Sequence, residues 1–270
     1  MPNTISEGAD PLPDPLPAKI TIATVTYNAA NLIGRTIKSV AQQTYPHVEH
    51  LIVDGNSTDN TLTLIHEYQK ANSRATVPHE VVCLSEPDEG LYDAMNKALD
   101  MATGDYIVFL NAGDTLSDAK ALERVAEQTS GHPAVIYGQT KLVDLAGNIL
   151  GDRHLSAPER LTWGSFRRGM LVCHQAFYVR TDLAKRTPYN RSYRFSADYD
   201  WTVRILSIAH HRQLPTANTH SVLCHYLREG LTTANHKASL WERFRIMCRH
   251  YGVVSTILHH VWFLTRRVFR

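Results

Sequence analysis

Residues 19–54 read KITIATVTYNAANLIGRTIKSVAQQTYPHVEHLIVD, and the fold is decided there. KITIATVTY (19–27) alternates and is rich in β-branched residues, which predicts a strand. Asn28 to Gln43 places Ile33, Ile37, Val40 and Ala41 at helical spacing. HVEHLIVD then reads as a second strand ending at Asp54. Strand, helix and strand within 36 residues is a βαβ unit, and it implies a parallel pair.

The alternation continues downstream. Ser57, Thr58 and Asp59 offer caps for a helix running to about Lys70. HEVVCLSE (79–86) is a third strand. LYDAMNKALDMA (91–102) is a third helix with Leu91, Met95, Ala98 and Ala102 on one face, and DYIVFLNAGD (105–114) is a fourth strand. In such sheets ligands sit beyond the carboxyl ends of the strands. Those ends are Tyr27-Asn28, Asp54-Gly55-Asn56, Glu86-Pro87-Asp88 and Asn111-Ala112-Gly113-Asp114, so polar and acidic groups collect at one edge.

Past about residue 130 the pattern changes. Residues 134–150 read as a hairpin around Ala146-Gly147-Asn148, and LVCHQAFYVR (171–180) as a strand carrying His174 and Gln175. SADYDWTVRILSIA (196–209) reads as a helix capped by Ser196 with Asp198 in its first turn. VLCHYLREGLT (222–232) is a strand running into a glycine loop. Residues 1–18 form a proline-rich leader expected to lack structure. Residues 237–270 read as a basic amphipathic helical tail that Gly252 bends or splits, leaving 19–236 as the main domain.

The 270 residues suit one large α/β domain or two small ones. With 43% hydrophobic and 20% charged residues, wholesale disorder is excluded. Four scattered cysteines with no C-x-x-C pair read as thiols in a reducing compartment. Residues 237–270 hold seven Lys or Arg against the single acid Glu242, whereas the rest is acidic on balance. No apolar leader core and no run of about 18 apolar residues occurs. The expectation is a cytoplasmic protein, peripheral on the inner face of the membrane, with the basic tail touching anionic lipid.

Motifs for dinucleotide oxidoreductases, P-loop ATPases and α/β-hydrolases are missing. What remains is a set of acidic loops on a nucleotide-type sheet. Asp54 could accept hydrogen bonds from a base or ribose. Asp114 could ligate a hard divalent cation that neutralises a departing nucleoside diphosphate. Asp198 could take a proton from an acceptor hydroxyl, with Asp200 the fallback. Each also has a plainer structural reading, as turn former or first-turn helix acid.

The stretches KITIATVTYNAANLIGRTIKSVAQQTYPHVEHLIVDGNSTDNT and EPDEGLYDAMNKALDMATGDYIVFLNAGD resemble the family 2 glycosyltransferases, most closely bacterial enzymes of exopolysaccharide and O-antigen assembly, such as colanic-acid-type transferases. The resemblance is strong over 19–115 and looser to about 232. It implies the GT-A (nucleotide-diphospho-sugar transferase) fold, an α/β architecture with a mainly parallel sheet flanked by helices. It implies inverting transfer of a sugar from a nucleoside-diphosphate donor, UDP favoured and GDP possible, to a saccharide or lipid-linked saccharide acceptor. By that resemblance Thr26, Tyr27, Asn28 and Asp54 hold the nucleoside, and Asp88, Asp93 and Asn96 line the diphosphate and donor sugar. Asp114 binds Mg²⁺ or Mn²⁺, and Asp198 is the general base.

Three departures stand out. The family's D-x-D is reduced to Asn111-Ala112-Gly113-Asp114. Asp-Asp-Gly-Ser becomes Asp54-Gly55-Asn56-Ser57. Met95 stands where relatives often place Arg, so Lys97 or Arg228 is expected to supply the positive charge. His174, Gln175 and Trp201 are the candidates for an acceptor pocket, and His225 for an extra metal ligand. His220 and His225 around Cys224 make only a weak zinc pattern. The rivals are a nucleotidyltransferase, which opens on a phosphate-binding glycine loop that is missing here, and a catalytically inactive, membrane-associated relative. The acidic body argues against a nucleic-acid partner.

Overall fold

The computed structural model describes residues 17–228 and 236–268. Most of the expected leader (1–16) and the glycine loop (229–232) therefore lie outside the described residues. The chain opens with β1 (Ile20–Thr26), α1 (Ala30–Ala41), β2 (Val48–Asp54), α2 (Thr61–Asn72), β3 (Glu80–Ser85), α3 (Leu91–Met101) and β4 (Tyr106–Phe109). It continues through β5 (Thr115–Leu116), α4 (Ala121–Ala126), β6 (Val135–Val143), β7 (Ile149–Asp152), β8 (Phe177–Arg180) and α5 (Thr181–Lys185). α6 (Ala197–His211), β9 (Thr216–Leu227), α7 (His236–Tyr251) and α8 (Val253–Val268) complete it.

Among the described residues one sheet runs in the order β3-β2-β1-β4-β8-β6-β9-β5, with β7 attached to β6. β1 pairs parallel with both β2 and β4, and β2 with β3. β6 and β9 are parallel, while β8 runs antiparallel to β4 and β6. The sheet is thus mainly parallel, with reversals only in its second half. Every residue of β1 and β2 is buried, as strands covered on both faces require.

Their polar side chains are matched across the pair. Thr21 donates to Glu49 at 2.6 Å, and Thr24 meets His50 Nε2 at 3.0 Å. Burial pushes the His50 pKa down to about 3, so the ring is neutral and packs as an uncharged link to Tyr68. Buried polar groups are tolerated when each finds a partner.

The chain lays β1, β2 and β3 outward to one side and then returns to place β4 on the other side of β1. That reversal is the switch point where a crevice opens beyond the strand ends. One expectation needs correction. Only Phe177–Arg180 of the 171–180 stretch is a strand; His174–Ala176 forms a 3-10 turn closed by Ala176 N–H on the Cys173 carbonyl. The tail helices pack on the rest of the chain. Ile246, Met247 and Tyr251 of α7 are buried in the main core, and Tyr251 donates to the Trp163 carbonyl at 2.8 Å. The helix break falls at Gly252, whose φ of +84° suits a residue without Cβ.

Candidate active site

The loop after β1 is built by polar side chains that face one another. Asn28 has a left-handed φ of +47°, and its Oδ1 accepts the Thr58 N–H at 2.9 Å. Ser57 Oγ accepts the Asn28 N–H, and Asp59 Oδ2 accepts the Ala30 N–H at 3.0 Å. The open N–H groups at the start of α1 are thereby capped from a loop about 30 residues away in sequence. Asp54 is fully buried; its carboxylate accepts from Ser57 N–H, Ser57 Oγ and Ser85 Oγ. Asn28 and Asp54 therefore hold the loop, beside Tyr27 and behind the residues that line the cavity.

Beyond the ends of β1 and β4 lies a cavity of about 1330 Å³. Thr26, Tyr27, Asp88, Asn111, Asp114, His174, Gln175, Asp198 and Arg228 all border it. Tyr27 is 63% exposed, which leaves its ring free for a flat ligand. Thr26 Oγ1 is buried and has no hydrogen-bond partner among the described residues. The departure at Gly55 also has a geometric reading. A Cβ there would fall 2.5 Å from an Asp88 carboxylate oxygen and 3.3 Å from the Tyr27 ring. Glycine makes room for Asp88, which is fixed by the Gly90 N–H at 2.8 Å.

Opposite, Asn111–Asp114 is a tight turn. Asp114 N–H reaches the Asn111 carbonyl at 3.0 Å, with Gly113 at φ +103° in the position that demands it. Thr36 clamps the turn, accepting from Gly113 N–H and donating to the Asp114 carbonyl. The Asp114 carboxylate accepts Gln175 Nε2 at 2.8 Å and the Leu227 N–H at 2.9 Å. Burial raises its pKa to about 6, and the bonds from Leu227 and Gln175 offset only part of that.

Asn111 Oδ1 is buried and unpartnered among the described residues, and Asn111 borders the same cavity as Asp114. Oxygen donors of this kind suit Mg²⁺ or Mn²⁺. Among the described residues no group of three His, Cys, Asp or Glu forms a cage, so a cation would need substrate phosphates or water as well.

The third carboxylate is Asp198. His174 Nδ1 lies 3.3 Å from its Oδ2 and the Tyr92 hydroxyl 3.4 Å from its Oδ1. Asn111 Nδ2 lies 3.4 Å from His174 Nε2, so the ring bridges the Asn111 amide and Asp198, with Nδ1 on the Asp198 side. Burial works against the Asp198 charge. The His174 bond and pull, Arg243 and the Tyr199 N–H outweigh it and hold the carboxyl below its ordinary value.

Several expected residues lie elsewhere. Asp93 accepts from Glu89 N–H and pairs with Arg191 at 3.0 Å; Lys97 pairs with Glu86 at 2.7 Å. Both ends of the Asn96 amide bond the Tyr189 backbone. These three sit on the face of α3 turned away from the cavity, while Tyr92 and Met95 line it. Of the two cations proposed to replace the family's Arg, only Arg228 borders the cavity. Trp201 is fully buried, stacked on Tyr189 at 4.8 Å, and belongs to the core. His225 pairs with Thr115 and borders a separate cavity of about 340 Å³ with Arg35, Lys38 and Asp118. Strand alternation turns it away from Tyr226, a cavity residue that the sequence reading missed along with Tyr92.

Comparison with known proteins agrees with this geometry. Residues 21–201 match the family described as Glycosyl transferase family 2. A PGL/p-HBAD biosynthesis glycosyltransferase of Mycobacterium bovis BCG is 32% identical over 211 residues, covering 76% of this chain and 75% of that protein. Staphylococcus aureus TarS 1-349 in complex with UDP-GlcNAc superposes with a TM-score of 0.65 at 17% identity, covering 91% of this chain and 73% of that one. The mannosyltransferase PcManGT of Pyrobaculum calidifontis, in complex with GDP-Man and Mn²⁺, gives 0.64 at 16% identity, covering 90% and 70%. The nucleotidyltransferase reading falls with these findings. With its family matched over most of its length and its sheet superposing on GT-A enzymes, the chain belongs to glycosyl transferase family 2 and is a glycosyltransferase.

Proposed function

We propose that this enzyme moves a sugar from a nucleoside diphosphate, UDP favoured and GDP possible, to a hydroxyl of a saccharide or lipid-linked saccharide, with inversion, in surface polysaccharide assembly. The observation that carries the reading is the meeting of Asp198, backed by His174, with Tyr27, Asp88 and the Asn111–Asp114 turn around one cavity. TarS in complex with UDP-GlcNAc and PcManGT with GDP-Man and Mn²⁺ support donors of this kind.

Thr26 and Tyr27 would receive the nucleoside, the Tyr27 ring by stacking and Thr26 Oγ1 by its free bonding capacity. Arg228 sits where it can face the diphosphate. Asn111 and Asp114 would hold Mg²⁺ or Mn²⁺, which when bound neutralises charge on the leaving diphosphate. Asp198 takes the proton of the acceptor hydroxyl as its oxygen attacks the anomeric carbon. The bond to the diphosphate oxygen breaks on the opposite side, its electron pair leaving with that oxygen. His174 keeps Asp198 ionised and oriented until that proton arrives.

Among the described residues no helix is long and apolar enough to cross a membrane. α8 exposes Val253, Val254, Ile257, Leu258 and Val261, and with the cationic excess of 237–270 this fits contact with anionic lipid, where a lipid-linked acceptor would lie. Co-sedimentation with phosphatidylglycerol vesicles that falls with added salt is the expected result; no binding at low salt removes that part.

The main test is a thermal-shift screen of UDP-, GDP-, dTDP- and CMP-sugars with and without Mn²⁺. A rise in Tm with one nucleotide that depends on Mn²⁺ is expected, because ligands that bind only the folded state stabilise it. A rise that ignores Mn²⁺ would remove the metal assignment, and no rise with any donor would count against the donor site.

A further inference from the structure

The first turn of α6, which carries Asp198, is held mainly from α7. Ser196 stands at the N-cap of α6, yet its hydroxyl makes no bond to its own helix. It meets Ser239 Oγ at 3.0 Å and the Ser239 carbonyl at 3.2 Å. The Glu242 carboxylate accepts the backbone N–H groups of Arg194 and Phe195, each at 2.8 Å. Phe195 itself lines the cavity. Asp200, two residues past the base, accepts His250 Nε2 at 2.8 Å and Arg204 Nε at 2.7 Å. Between these contacts Ile246 and Met247 anchor α7 in the core.

Helix starts are ordinarily capped by a side chain from the same turn. Here the anion arrives from 47 and 48 residues away, so the path of the backbone into α6 depends on where α7 docks. α7 also lies wholly beyond residues 21–201, the part that matches the family, and so adds something that the family segment does not contain. Arg243, one residue on, has a buried Nε with no hydrogen-bond partner among the described residues and favours the ionised form of Asp198.

We propose that α7 is a positioning element of the active site, with Glu242 fixing the backbone that presents Phe195 and Asp198 to the cavity. This rests on the reading of Asp198 as the base. Loss of Glu242 should spoil the aim of the base and leave the donor-side residues of β1 and the β3–α3 loop untouched.

The experiment compares full-length wild type, Glu242→Ala, Glu242→Gln, Arg243→Gln and Asp198→Asn. Turnover is read as UDP release from UDP-N-acetylglucosamine or GDP release from GDP-mannose, beside Tm and hydrogen exchange. Glu242→Ala is expected to lower kcat by about 10- to 100-fold with donor KM unchanged, the usual scale for a misplaced catalytic group. Glu242→Gln, which keeps one acceptor oxygen, loses less. Exchange at residues 194–200 should quicken in both variants while that of β1 and β2 stays slow.

Around Asp198 stand His174, Tyr92, Tyr189, Tyr226, Cys173 and Arg243. Removing the guanidinium makes the carboxyl harder to ionise, so Arg243→Gln should move the acidic limb of the pH profile upward. Wild-type kcat and unchanged exchange at 194–200 in Glu242→Gln overturn the proposal, even if Glu242→Ala does not fold. Wild-type turnover in Asp198→Asn overturns the base reading instead. An inactive Asp198→Asn beside a fully active Glu242→Ala removes only the role of α7.

Discussion

The two walls of the cavity use their carboxylates differently. On the wall formed by β1 to β3, Asp54 and Asp59 are turned into the loop, where N–H and hydroxyl groups fill their acceptor positions. On the wall formed after Phe109, Asp114 and Asp198 border the cavity, and groups of other elements hold them there. The first arrangement makes a rigid floor. The second leaves charge available for chemistry, because the partners stabilise the carboxylates without filling the space in front of them.

Asp198→Asn is the hardest test of that contrast. Transfer should fall by roughly 10²- to 10⁴-fold, the usual span for a lost general base, with donor binding by calorimetry unchanged. A parallel loss of donor affinity would place Asp198 on the wrong wall.

Asp114→Asn should cost about 10²-fold in turnover if the charge at the turn stabilises the leaving group. Its effect on stability should run the other way. The folded pKa of about 6 exceeds the unfolded carboxylate value, so ionising Asp114 costs stability as pH rises through about 6. The amide variant should therefore gain Tm relative to wild type above that pH and lose the advantage below it. A Tm deficit that grows with pH would contradict the sign.

For Asp54→Ala the expectation reverses. Leaving the Ser57 N–H and two hydroxyls without their acceptor should cost about 1–3 kcal/mol of stability, with kcat of the folded fraction preserved. A large kcat loss at unchanged Tm would show that both walls do chemistry. The smallest effect belongs to Gly55→Ala. Its methyl should displace Asp88 and raise donor KM by about tenfold or less, leaving kcat alone; unchanged KM would mean that Asp88 has room to spare.

The first four strands were legible because each is a short periodic segment, and KITIATVTY and HVEHLIVD pair in the register that their lengths allow. Tyr27, Asp88 and Asn111 were legible as strand ends, and Thr26 through the family resemblance. Helix phase explains the misplaced residues. Leu91, Met95, Ala98 and Ala102 mark one face of α3, and that apolar face also meets the cavity, so Asp93, Asn96 and Lys97 had to point away. Trp201 follows Asp198 by three positions yet packs inward on Tyr189. Glu242 had no local signal at all: nothing near it in sequence hints that its partners are the backbone amides of Arg194 and Phe195.

The contact between Glu242 and those amides also bears on the order in which the protein can become active. A chain emerging N-terminus first makes β1 to β4 and the Asn111–Asp114 turn long before residue 242, and domains tend to fold in that order. On the proposed role of Glu242, the groove would be present while the turn bearing Asp198 still lacked its distant acceptor. Competence would then wait on the docking of α7, and a nascent chain that has exposed the groove alone would bind donor before it could turn it over.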